Sequence, residues 1–505
     1  MKIQTKLHRW VLQKLPLAAL GALTLLVAGC GPEDWIVWAP DGRHGVVHGD
    51  SRLIDPAGNV LGTVAGKDES VAAWMPDSQR VLVLRQVPAQ SWAEFAALLG
   101  EERAALVAYA GGDLARLIGE NRDALETFAE SPGFKIWQEN LETRGVEFAA
   151  VASCLDAARP GLLDPLLEAS ARREVAEARK EDGSPDVGKP QRTIAELRKE
   201  IGLPKIHELH VRNAVVSGDS GDRLVMRSAD ECTQFAVSPN GRALAFIRVE
   251  GTDTRLYATA LEEGAKPVLI ESGVEFAAWS PDGQELAYTK CGVPHRSEKS
   301  ELRLGSIARR RVCTPDGAVI AEPEAGEDIA GLILPEYPAR LAWIPDGRIL
   351  FAGAKFTLPA TTQNLPDALT LFALRLNPTP SIEQLTPDSI PSRLTVRANY
   401  FTVSPDGQKV AILGKAGAVS VLTLATKIFV TLQDRIPEFE KKNSDDSLLV
   451  PAWRTADELT VLVAAGDPSG SPARAEVVIA SLRGGKRSIS KSWPDSSHLP
   501  ALETK

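Results

Sequence analysis

The chain has 505 residues, 24% of them charged and 44% hydrophobic, with a formal charge of −9. That balance fits a folded, exported body and argues against nucleic acid as a partner, because no basic surplus is available to meet phosphates. The length allows either several ordinary domains or one large repeat domain.

Met1 to Gly29 reads as a targeting segment outside the fold. Lys2, Lys6, Arg9 and Lys14 give a positive start, and the apolar run Leu15 to Val27 is short for a membrane span. Leu26-Val27-Ala28-Gly29-Cys30 is similar to the lipobox of bacterial lipoproteins, in which the cysteine becomes the lipidated N-terminus. The resemblance implies acylation of Cys30 and attachment to the membrane through that lipid. Gly31, in place of an aspartate, implies sorting to the outer membrane, with the periplasmic or surface side left open. Loss of four basic residues with the leader takes the charge from −9 to −13.

From residue 30 to 90 the pattern is that of short strands. Trp35 to Trp38, Arg43 to His48, Ser51 to Ile54 and Asn59 to Val64 alternate as four strands, the last two joined by the turn Asp55-Pro56-Ala57-Gly58. Between the first two lies Trp38-Ala39-Pro40-Asp41-Gly42, and the same grammar returns at Trp74-Met75-Pro76-Asp77-Ser78. Proline presets φ at the second turn position, aspartate bonds its own backbone, and glycine takes the left-handed conformation cheaply. The tryptophan closes the first strand with a ring large enough to fill the space between stacked sheets.

Residues 91–202 change character. The period shifts toward 3.6 and the composition turns to Ala, Leu, Glu and Arg, which predicts a helical insertion leaving after Gln86 and returning near His207. Ser91/Glu94 and Thr193/Glu196 are capping boxes at its first and last helices. Breaks at Gly111-Gly112, Ser131-Pro132-Gly133, Pro160-Gly161 and Glu181 to Pro190 predict about five helices. Phe95, Leu98, Leu99, Leu114, Leu117, Phe128, Trp137 and Phe148 form the expected core of this bundle.

Residues 203–505 return to strands. His207 to Val216 and Arg223 to Arg227 complete the second unit, and the turn grammar recurs at Val237-Ser238-Pro239-Asn240-Gly241, Trp279-Ser280-Pro281-Asp282-Gly283, Trp343-Ile344-Pro345-Asp346-Gly347 and Val403-Ser404-Pro405-Asp406-Gly407. Trp453 to Asp457 is a degenerate copy, and Lys486 to Ser490 reads as a closing strand. Cys313-Thr314-Pro315-Asp316-Gly317, a near-copy without tryptophan, fits as an extra hairpin in the fourth unit. Copies with one phase require a repeat fold. The pattern resembles the TolB-type β-propeller repeat, which implies an all-β propeller; the spacing gives seven blades, with eight as the alternative. TolB carries an α/β domain ahead of its propeller that this sequence does not match, so the resemblance transfers no partner.

The search for chemistry is negative in its main lines. Gly218 to Asp222 reads as a strand-joining turn, and the G-x-S-x-G elbow of α/β-hydrolases does not occur. His207 and His210, three apart on a predicted strand, point to opposite faces and give no metal pair. Asp41, Asp77, Asp282, Asp346 and Asp406 sit one per unit in structural turns, so no metal or cofactor is expected. Cys154, Cys232, Cys291 and Cys313 remain after Cys30, and their placement toward one rim suggests the pairs Cys154–Cys232 and Cys291–Cys313, if their Cα atoms come within about 7 Å. Two functions follow: a non-enzymatic protein-binding or scaffold module of the cell envelope, meeting its partner through the insertion, or an envelope hydrolase or lyase with an axial funnel site.

Overall fold

A computed structural model describes residues 36–47, 51–66, 68–128, 131–177, 190–214, 221–251, 253–291, 302–335, 340–353, 368–376, 380–386, 394–395, 401–413, 419–432, 451–465 and 474–489. Cys30 and the leader lie outside these residues, as do His48, His295, His498, most of the break from Glu181 to Pro190 and the start of the Gly218 turn. Among the described residues, no helix is long and apolar enough to cross a membrane.

The strands form an all-β propeller. The described residues hold seven sheets of four antiparallel strands in sequence order, the fifth carrying a further short strand. Their first strands are Ile36–Trp38, Glu69–Trp74, Glu231–Val237, Val274–Trp279, Leu341–Trp343, Phe401–Val403 and Ala452–Thr455. Most of these first strands touch the next one round, and the last touches Ile36–Trp38, so they line the axis. An apolar cluster fills each space between sheets. Val46, Leu53 and Val81 join the first two, and Ile36, Val47, Val477 and Ile479 join the last to the first, closing the ring.

The turn grammar explains why these strands pair as they do. In each of the six copies the fifth residue donates its backbone N–H to the carbonyl of the second: Gly283 to Ser280 and Gly407 to Ser404 at 2.8 Å, and Ser78 to Met75 at 3.0 Å. The fourth residue's Oδ1 accepts from the N–H two positions on, at 2.9 Å from Arg43 for Asp41 and 3.0 Å from Gln284 for Asp282. Trp74, Trp279 and Trp453 donate from Nε1 to the carbonyls of Val37, Ala236 and Thr402 in the preceding sheet. Trp38, in the first sheet among the described residues, bonds instead to Thr460 Oγ1 of the last sheet at 2.6 Å. The near-copy at Cys313 makes its expected small hairpin, bridged to Val319 between the third and fourth strands of the fourth sheet.

The second sheet is interrupted by helices. Between its second strand Arg80–Pro88 and third strand Lys205–Asn213 lie α1 Trp92–Leu99, α2 Glu101–Glu120, α3 Leu125–Phe128, α4 Pro132–Glu142, α5 Phe148–Ala158, α6 Asp164–Glu177 and α7 Ile194–Ile201. Among the described residues these are seven α-helical segments where about five were expected. The expected break at Gly111-Gly112 does not occur. α2 runs through it because Val107, Ala110, Leu114, Ala115 and Ile118 bury one continuous stripe, which outweighs the roughly 1 kcal/mol each glycine costs. Gly111 faces α5, where an added Cβ would lie 3.8 Å from Val151 O and Leu155 N. The caps at Ser91 and Thr193 form, the second as a full capping box. Phe95, Leu114 and Phe128 are buried in the core of these helices, with Leu98, Leu99, Leu117, Trp137 and Phe148 packed against it, and Ile206 and Ala229 carry that core onto the second sheet.

Among the described residues the expected disulfides do not form. Cys154, Cys232 and Cys313 are free and buried, each in a different apolar cluster: Cys154 among the helices, Cys232 between the second and third sheets, Cys313 between the third and fourth. Burial pushes the Cys232 and Cys313 thiols up to about 11. The side chain of Cys291 is outside the described residues.

Candidate functional site at the helical end of the ring

The two ends of the ring differ. Every first-to-second turn lies at one end. The second-to-third connections and the starts of the first strands lie at the other, and there the helices rest on the second and third sheets. Arg103 of α2 pairs with Asp230 at 2.5 Å and donates to Gly145 O at 3.0 Å. Gly145 and Gly251, both at φ +68, approach so closely that a Cβ on either would lie 2.5 Å from the other's nitrogen. At both positions glycine is required by φ and by space alike.

A row of charge crosses the second sheet at this end. Register places Glu69 opposite Arg85, Arg85 opposite Glu208, and Glu208 opposite Arg227, one from each strand. Arg85 reaches Glu208 at 2.5 Å, Arg227 reaches it at 3.1 Å, and Arg227 continues to Glu94 of α1 at 2.6 Å. His210 Nε2 lies 3.4 Å from Glu208. Its Nδ1 lies 3.1 Å from Asp222 but is not aligned to bond. Arg212 binds Asp222 at 3.2 Å and Glu69 at 2.8 Å. The charges alternate along the row, so each buried group has an opposite neighbour.

These contacts set the ionisation. Hydrogen bonds from the Arg212 guanidinium lower the Glu69 carboxyl to about 2, against the effect of burial. Burial opposes ionisation of Glu208, yet the bonds from Arg85 and His210 and the charge of Arg227 hold its carboxyl below the usual range. His207 falls on the opposite face of the same strand, as the strand period requires. Burial depresses its pKa, Asp230 working the other way, and its Nδ1 has no hydrogen-bond partner among the described residues.

The row was invisible as a motif, since Arg85 and Glu208 are 123 residues apart. Of the residues the sequence singles out, His210 lies beside this row, while Asp41, Asp77, Asp282, Asp346 and Asp406 belong to separate turns at the opposite end. Among the described residues, no group of three or more His, Cys, Asp or Glu side chains is placed to hold a metal. A small cavity of about 70 Å³ between the first two sheets is lined by Val37, Val46, Ser51, Glu69 and Val71.

No protein-family model matches the chain, and no curated protein does. Among solved structures it is similar to TolB from Acinetobacter baumannii, at 16% identity over 55% of this chain and 58% of that one, with a TM-score of 0.35. A putative TolB from Agrobacterium tumefaciens shares 14% identity over 53% of this chain and 83% of its own, with a TM-score of 0.33. An oligogalacturonate lyase in complex with manganese shares 10% over 56% and 72%, at 0.35. The propeller rests on the sheets and their packing and not on these likenesses.

Proposed function

We propose that this chain is a cell-envelope lipoprotein, acylated at Cys30, whose seven-bladed propeller is a non-enzymatic protein-binding scaffold and whose segment 91–202 is the docking part. One observation carries the reading: the charged row at the helical end runs radially across one sheet, with Glu208 ion-paired to both Arg85 and Arg227, and ends on a helix, at Glu94 of α1. Such a row fastens one element to another. A hydrolase or lyase with an axial funnel site would instead need acid and base groups held free at the axis. Outer-membrane sorting rests on Gly31 after the cysteine.

Replacing residues 91–202 with a Gly/Ser linker tests the docking part. The ring is expected to fold and reach the membrane, while envelope crosslinks to its partner disappear. Unchanged crosslinks from the folded deletion would place the partner surface on the ring. Mass spectrometry of the mature N-terminus tests the anchor: a diacylglyceryl cysteine at position 30 is expected, and a soluble chain starting elsewhere would overturn it.

A further inference from the structure

The strand directions say which end of the ring meets the membrane. Ile36–Trp38 runs toward the turn at Asp41, so the chain enters it from the end where Gly251 meets Gly145 and Asp230 meets Arg103. Five residues, Gly31 to Trp35, separate Cys30 from Ile36. Six residue steps of extended chain span at most about 20 Å. Helices stacked on that end occupy a comparable depth, since each is about 10 Å across and α2, at 20 residues, is about 30 Å long.

The helices do not offer a surface suited to lipid headgroups. Acidic side chains outnumber basic ones across residues 91–202, which disfavours an anionic leaflet. On α2 the face turned away from α5 exposes Ala105, Ala108, Tyr109 and Gly112 without a charge among them, Tyr109 being 68% exposed. Small residues around one aromatic ring allow another protein's backbone to approach closely.

We propose that the helical end of the ring faces the bilayer holding the Cys30 lipid, and that the helices' partner is a protein embedded in that same bilayer. This rests on the acylation of Cys30. The orientation follows from tether length and exit point, and the choice of protein over lipid follows from the acidic surplus.

The test uses the full acylated chain in proteoliposomes, with a fluorescent amino acid at Tyr109 or, on the turn end, at Gln408, and a headgroup-labelled lipid as energy acceptor. Transfer is expected to be several-fold stronger from 109 than from 408. A flexible insert of about 30 residues after Gly31 is expected to erase the difference. Equal transfer, or stronger transfer from 408, would overturn the orientation while an acylated N-terminus by mass spectrometry left the lipoprotein reading standing; an unacylated chain would remove both. A photo-crosslinking residue at 109 in intact envelopes is expected to capture a protein that stays in the bilayer after an alkaline wash. Capture of a soluble protein, or of lipid, would refute the partner class.

Discussion

At the turn end the molecule repeats itself, and at the helical end it does not. Gly42, Gly241, Gly283 and Gly407 have nearly the same φ, from +68 to +70, and the side chains at Asp41, Asn240, Asp282 and Asp406 all accept from the backbone two residues on. At the other end the second sheet carries helices and a charge row, and the third meets them through Gly251 and Asp230. Each turn closes through its own backbone and side-chain bonds and adds only scattered contacts to its neighbours, such as Asp41 N to Ser78 Oγ and Arg454 to Gly42 O, so that end tolerates one change at a time. The helical end depends on single contacts without a second copy. Its stability is therefore concentrated in a few contacts and fragile.

The sharpest contrast is between two glycines. Gly251→Ala puts a Cβ 2.5 Å from the Gly145 nitrogen at φ +68, with backbone on both sides and no flexible side chain to yield. A loss of about 3 kcal/mol or more is expected, through strain plus displacement of the helices. Gly347→Ala at the turn end also has φ +85 but nothing within 4 Å of the new Cβ. Strain alone leaves about 1 kcal/mol. Denaturant unfolding measures both, and hydrogen exchange should show the first loosening α2 and α5 ahead of the sheets. Equal costs would mean that the helices do not depend on that contact.

Next in size is the charge row. Glu208→Gln leaves Arg85 and Arg227 facing each other, and about 2 kcal/mol is expected after discounting for the exposure of the two arginines. Arg85→Met in the same background should cost little more, because the Glu208 carboxylate it pairs with is already gone. An additive double mutant would show that the row is a set of isolated surface pairs.

The same end should dominate the pH dependence. A depressed carboxyl contributes stability that is full above its unfolded value and lost as pH falls, so Glu69 acts between about 4.5 and about 2. A histidine buried neutral gives a higher window. Unfolding raises the affinity of His207 for a proton, and stability falls as pH drops below about 6.5. His207→Asn should flatten the loss between pH 7 and 5, and Glu69→Gln the loss between pH 5 and 3, as read by unfolding midpoints. A profile unchanged by both substitutions would assign acid sensitivity to other groups.

The unequal legibility of the two ends has one cause. Trp279 to Gly283 states its fold within five residues, and each repetition confirms the phase. The strands around the helices were also readable, since His207 to Val216 and Arg223 to Arg227 overlap the observed Lys205–Asn213 and Arg223–Ser228. Pairing Arg80–Gln86 with His207–Val216 in register would have set Arg85 beside Glu208, so that signal was present and unused. The cysteines misled because nearness to one rim ignores facing. Cys232 points between two sheets, while Cys154 belongs to a helix packed on α2. The Gly111-Gly112 break failed because propensity is local and the stripe from Val107 to Ile118 is not.

The smallest expected effects belong to the turn aspartates, and they decide what those residues are for. Asp282 Oδ1 accepts from Gln284 N and from the Ser280 hydroxyl, and Asp406 does the same with Gln408 and Ser404. In the third sheet the position is Asn240, whose Oδ1 accepts from Arg242 N at 3.0 Å and from the Ser238 hydroxyl at 2.7 Å. An uncharged amide oxygen thus does the same work, so the turn needs an acceptor and no charge. Asp282→Ala and Asp406→Ala should each cost about 1 kcal/mol, the worth of the lost bonds, while Asp282→Asn and Asp406→Asn should be nearly neutral. Because the turns belong to different sheets, the two alanine costs should add. Calorimetry or denaturant unfolding of the four single variants and the double alanine variant measures this. Asparagine variants as damaged as the alanine ones would mean that the negative charge itself matters, and would return these carboxylates to consideration as ligands for a cation.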